Sequence, residues 1–221
     1  LNIPLAGNMI IGVKLGENAN EMGQLPNAGF EKFHEASYDK ATSLEPNGWH
    51  SFMSSTGSMA GTVSAAVHTY ASSEVRENAA EDNKQCVKIV STPVKVGSFV
   101  AASANGTITT GRLKAGSMTA SSKDNCSFLD FSSADVDANG DPFYAVLNNK
   151  PDAMKVWVKF KAGDGNKNPK ATISALLTNG NMVQDPEDDK YAANIIARAN
   201  NSSIESKDEW QKITIPFDYD S

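Results

Sequence analysis

A chain of 221 residues is long enough for one large all-β domain, or for one domain with a fragment of another. With 40% hydrophobic and 21% charged residues the composition is that of an ordinary globular protein, and no apolar run approaches the roughly 18 residues a membrane helix needs. A net charge of −6 with no basic stripe excludes a broad nucleic-acid-binding surface.

In chain order, Ile3, Leu5, Met9, Ile11, Val13 and Leu15 fall on odd positions, which is a strand period with Gly7-Asn8 as a turn inside it. The aperiodic polar stretch 16–24 reads as a linker. Residues 1–24 are therefore expected to be a β strand or hairpin left from a preceding β domain plus that linker, or else an extra edge strand of the main domain, which covers 25–221. From residue 25 onward strands are predicted at 30–33, 48–52, 86–92, 97–102, 111–113, 127–131, 153–161, 171–178, 194–199 and 211–219. Turn clusters such as Pro46-Asn47-Gly48, Asn139-Gly140-Asp141-Pro142 and Gly163-Asp164-Gly165-Asn166 separate them. Only 74–84 has the composition of a short helix or a solvated turn. Many strands with loops of uneven length predict an all-β, two-sheet antiparallel sandwich of jelly-roll topology. Cys86 and Cys126 fall beside apolar residues, so two buried free thiols are expected, with a disulfide as the alternative.

The most legible strand is Ala153-Met154-Lys155-Val156-Trp157-Val158-Lys159-Phe160-Lys161. Successive side chains of a pleated strand leave on opposite faces, so Met154, Val156, Val158 and Phe160 form a core face. Its burial is worth roughly 6–12 kcal/mol before entropy is charged against it. The other face places Trp157 among Lys155, Lys159 and Lys161. An indole held in water can stack on the C–H side of a sugar ring while ammonium groups donate to its hydroxyls or carboxylates. Coverage by the long 53–85 region is the competing expectation. Pro216 falls in the last strand; proline cannot donate to a ladder, so that strand is expected at an edge or bulged.

Asp135-Val136-Asp137-Ala138-Asn139-Gly140-Asp141 carries oxygen ligands at every second residue followed by a glycine, which matches the first half of an EF-hand loop. Position twelve is Val146 where a bidentate Glu is needed, so an acidic hairpin loop competes with a calcium site at Asp135, Asp137, Asn139 and Asp141. His34, His50 and His68 stand apart in sequence without metal-ligand spacing. There is no Gly-x-Ser-x-Gly elbow. Glu187-Asp188-Asp189 reads as a solvated acidic turn, and the 205–209 acids lack the alternation of a jelly-roll glycosidase strand. No catalytic residue is assigned. Trp49, after an Asn-Gly turn, is read as core.

Several pieces, taken in order, resemble a bacterial carbohydrate metabolism domain family found in surface proteins of gut bacteria. They are Pro26-Asn27-Ala28-Gly29-Phe30-Glu31, Pro46-Asn47-Gly48-Trp49, Cys86-Val87-Lys88-Ile89 and Gly106-Thr107-Ile108-Thr109-Thr110-Gly111. Asp141-Pro142-Phe143, Lys150-Pro151-Asp152-Ala153-Met154-Lys155-Val156-Trp157 and Glu209-Trp210-Gln211-Lys212-Ile213-Thr214-Ile215-Pro216-Phe217 complete the series. The resemblance implies a jelly-roll sandwich similar to carbohydrate-binding modules and export, as a lipoprotein, to the extracellular or outer-membrane surface. It also implies a preceding β domain, a closing strand beyond residue 221, and a structural calcium assisted by Glu31.

The combined expectation is a glycan- or oligosaccharide-binding surface module with Trp157, Lys155, Lys159 and Tyr144 at the site and no nucleic-acid partner. A jelly-roll glycoside hydrolase and a structural or adhesive module are the alternatives. The hydrolase would show two acidic side chains facing each other across a cleft.

Overall fold

A computed structural model describes residues 8–15, 25–66, 69–96, 98–131, 134–147, 149–164 and 169–219. The expected linker 16–24, His68, Gly97 and the Gly165-Asn166 half of one turn lie outside them. The chain is mostly β, with 44% strand and 8% helix. The first strands are β1 (Asn8–Leu15), β2 (Phe33–Tyr38), β3 (Ala41–Pro46), β4 (Thr69–Ser72), β5 (Cys86–Ile89) and β6 (Thr92–Val96). Then come β7 (Phe99–Ala104), β8 (Thr107–Thr109), β9 (Arg112–Ala115), β10 (Asn125–Phe128) and β11 (Ala145–Leu147). The last are β12 (Ala153–Val158), β13 (Lys170–Thr178), β14 (Gln184–Asp185), β15 (Ile195–Glu205) and β16 (Gln211–Pro216). Helix is confined to short pieces, chiefly α1 (Ala60–Ser64) and a 3₁₀ segment, Asp189–Asn194. Residues 74–84 form turns rather than a helix.

The largest sheet runs β11-β1-β13-β15, with β8 also pairing β1. β1 runs parallel to β8, β11 and β13, whereas β13 and β15 are antiparallel. The remaining described pairs form small antiparallel sheets: β14-β10-β9, β12-β16, β2-β3, β4-β5 and β6-β7. The sequence of β13, Lys-Ala-Thr-Ile-Ser-Ala-Leu-Leu-Thr, is small or apolar almost throughout, as a strand flanked on both sides requires, and its last four residues are all buried.

The main core gathers Trp49, Ile108, Leu147, Ile173, Leu177, Ile204 and Ile215. Met154, Val156, Val158 and Phe160 pack against it, so the predicted core face of β12 is realised. Trp49 is 2% exposed, its indole 5.1 Å from the Phe30 ring and its Nε1 donating to Pro26 O at 2.8 Å, as a core lid should be. A smaller cluster forms around Leu129, Leu176 and Val183. Cys86 is half-buried, Cys126 is buried, and both are free thiols.

Pro216 explains why β16 stays apart from β15. Arg198 and Asp218 exchange both backbone hydrogen bonds, at 2.9 and 2.7 Å. The next rung of an antiparallel ladder lies two residues along each strand and would need an N–H at position 216, which proline lacks. Among the described residues pairing with β15 is therefore this one bridge, and β16 forms its ladder with β12.

Candidate functional site

Trp157 keeps its outward position: 42% of its surface is exposed. Lys212 stands opposite it on β16, with Nζ 6.0 Å from the ring centroid, and Lys155 lies two residues away on the same exposed face. The 73–85 segment approaches without sealing the ring. It sends Arg76 to 4.8 Å from the indole centroid and Glu74 into an ion pair with Lys159. Tyr144 lies elsewhere, its ring 5.0 Å from Phe131 beside the smaller core cluster.

The carboxylates expected to bind calcium are each committed to a different partner. Glu31 accepts from Lys84 N at 3.0 Å and Gln85 N at 3.3 Å, which pins the 84–85 backbone. Asp135 pairs with Arg112, whose Nε also donates to Ser54 O. Asp141 accepts from Gly48 N at 2.8 Å and from Asn139 Nδ2 at 2.9 Å. Asp137 turns inward, toward two histidines.

That inward turn creates a buried polar cluster. The β2-β3 hairpin turns at Asp39-Lys40, with Asp39 at φ +51°, and sets His34 directly opposite Glu45. Along β3 the expected polarity is inverted, since Leu44 is 40% exposed whereas Glu45 is fully buried. Five residues on, His50 is sealed at 0% exposure, its backbone bridged to Thr109 and its ring 4.5 Å from Phe143. The His50 and His34 Nε2 atoms stand 3.3 and 3.4 Å from Asp137 Oδ2, and His34 Nε2 is 3.8 Å from Glu45 Oε2.

Among the described residues, His34, Glu45 and Asp137 are the one group of three such side chains whose donor atoms all lie within 4.8 Å of one another. Burial works to raise the Asp137 carboxyl, but the adjacent histidines and the Asp141 N–H outweigh it and hold the group below its ordinary value. Yet His34 Nε2, both His50 ring nitrogens and Asp137 Oδ2 are buried without a directional hydrogen bond. Each such atom costs about 1–3 kcal/mol. Among the described residues, His34, Glu45 and Asp137 are the ones able to hold a metal ion, with His50 packed against Asp137. Sequence spacing missed them because they come from three segments; the available signal was the Asp39-Lys40 turn, which pairs position 34 with 45.

A second feature is a cavity of about 480 Å³. Met59, Leu113, Ile173 and Leu176 supply apolar wall, and Asp185 and Glu187 supply carboxylates. Burial pushes the Asp185 carboxyl up, and the Glu187 charge adds to the shift, although the Ser174 hydroxyl donates to it. Glu187 is held down by a two-pronged contact with Arg198, whose Nε and second guanidinium nitrogen each donate at 2.8 Å. Glu187 is thus part of a structured pair rather than a free acidic turn. Comparison with protein families, with curated proteins and with solved structures gives no match.

Proposed function

We propose that the chain is a glycan-binding module, a two-sheet jelly-roll sandwich exported to a bacterial surface, that takes acidic oligosaccharides at the Trp157 face. The reading is supported chiefly by one observation: a 42% exposed indole on a strand whose opposite face is core, flanked by Arg76 and Lys212. Flat apolar surface ringed by cations suits a pyranose bearing a carboxylate, because the ring stacks on the indole while guanidinium and ammonium groups meet the charge. Calorimetric titration with uronate oligosaccharides tests it. Trp157→Ala should weaken binding about tenfold, and undiminished affinity would remove Trp157 from the site.

A second reading is favoured by the cavity carboxylates. Two acids with one ionisation pushed up and the other held down have the division of labour of a general acid and an ionised partner. In that reading the module hydrolyses a glycosidic bond, with Asp185 donating a proton to the leaving oxygen. Release of reducing ends that is lost in Asp185→Asn and retained in Trp157→Ala would support it over simple binding.

A further inference from the structure

We propose that His34, Glu45 and Asp137, with His50 packed against Asp137, form an internal site for one first-row divalent transition-metal ion such as zinc, which ties the β2-β3 hairpin to the 135–141 loop. The proposal is independent of the glycan reading. His34 Nδ1 lies 3.2 Å from Asn47 Oδ1, an acceptor, so the ring proton sits on Nδ1 and Nε2 turns its lone pair inward. Glu45 Oε1 accepts from Ser51 N and Ser51 Oγ at 2.7 and 2.5 Å, and the Ser54 hydroxyl donates to Oε2. Asp137 Oδ1 accepts from Asn139 N at 2.9 Å and Asp141 N at 2.8 Å. The outer atoms are thus held by neighbours that fix orientation, while His34 Nε2 and Asp137 Oδ2, which face each other, have no hydrogen bond, and Glu45 Oε2 keeps a lone pair beyond the one taken by Ser54.

Separation and charge both fit. Two ligands bound at about 2.0–2.1 Å and subtending a tetrahedral angle stand about 3.4 Å apart. His34 Nε2 stands 3.4 Å from Asp137 Oδ2 and 3.8 Å from Glu45 Oε2, and the three donor atoms all lie within 4.8 Å of one another. Two carboxylates neutralise a dication, which removes the penalty of burying two like charges together. Imidazole nitrogens select a transition metal over calcium, which takes oxygen. The His34 side chain is 10% exposed, and those of Glu45, His50 and Asp137 not at all. A site so closed is structural rather than a place where substrate meets metal.

The full-length chain, stripped with a chelator and titrated with zinc chloride, should take up one equivalent, and its thermal midpoint should rise with zinc but not with calcium or magnesium. Cobalt(II) should give the visible absorption of a nitrogen and oxygen ligand set. Asn47→Ala, which removes only the partner of His34 Nδ1, should weaken zinc affinity about 10–100-fold. The near-isosteric Asp137→Asn and the His34→Gln variants should abolish the cobalt band while circular dichroism remains that of the parent. A folded parent that takes up no stoichiometric zinc overturns the proposal. So does an equal thermal response to calcium, or a cobalt spectrum unchanged in folded Asp137→Asn or His34→Gln. The measurement on the parent decides the matter even if a variant does not fold.

Discussion

The Arg76 guanidinium lies over the Trp157 indole, 4.8 Å from the ring centroid, although the two residues are 81 positions apart in the chain. The contact covers part of the ring with a group that can itself bind an anion. Arg76→Ala should therefore have two opposite effects. Acrylamide quenching of the Trp157 emission, isolated by subtracting Trp157→Phe, should increase. Affinity for a uronate oligosaccharide should fall about 2–5-fold, the size of an exposed cation–π contact.

Asp185 gives a pH prediction with a definite sign. Its folded-state ionisation is raised above the unfolded value, chiefly by burial, so the folded protein binds the proton more tightly than the unfolded chain does. Stability from this group is greatest below about pH 4 and declines as pH rises through the folded value. Asp185→Asn removes the penalty on the charged form. Its urea midpoint should exceed that of the parent at pH 7, and the gap should close below about pH 4; a constant gap would refute the linkage.

Burial pushes the Cys126 thiol up to about 11 from an ordinary 9.0. At pH 8 its thiolate fraction, and with it the rate of alkylation by iodoacetamide, should be about 100-fold below that of an ordinary thiol. Cys86 is raised too, again mainly by burial. Native protein should react slowly at both positions, and denatured protein should release two fast equivalents.

Two glycines with left-handed backbone separate strain from steric collision. Gly57 has φ +109°, and a Cβ placed on it would lie 2.4 Å from Ala115 O; Gly140 has φ +85° with nothing within 4 Å. Gly140→Ala should cost about 1–2 kcal/mol, the penalty for a side chain in that conformation. Gly57→Ala adds a backbone collision and should cost roughly 2–4 kcal/mol. Thermal denaturation of the two variants side by side reads the difference.

The alternation over residues 153–160 was legible because each residue there agrees with its face: apolar at 154, 156, 158 and 160, polar or exposed at 155, 157 and 159. The β2-β3 hairpin was not legible, for a physical reason. Its inward positions carry His34, Ala36, Tyr38, Ala41, Ser43 and Glu45, and Leu44 points outward. Hydrophobic periodicity finds strands that are stabilised by their own apolar face, and this pair is placed instead by cross-chain hydrogen bonds such as Ser43 Oγ to Thr69 O at 2.7 Å. The acidic loop shows the converse. Its every-second-residue pattern was visible, but which carboxylate meets arginine, histidine or backbone N–H depends on segments remote in sequence.

The single missing amide at position 216 bears on motion as well as architecture. Among the described residues one backbone bridge joins the β12-β16 leaf to β15 and one bond joins Lys207 N to Phe160 O, so the leaf adheres to the body mostly through the side chains beneath it. A leaf held by greasy contact rather than by a continuous ladder can lift without unravelling its neighbours, so its amides should exchange with deuterium ahead of those in β13. Trp157 then rides on the part of the molecule best able to yield to whatever presses against it.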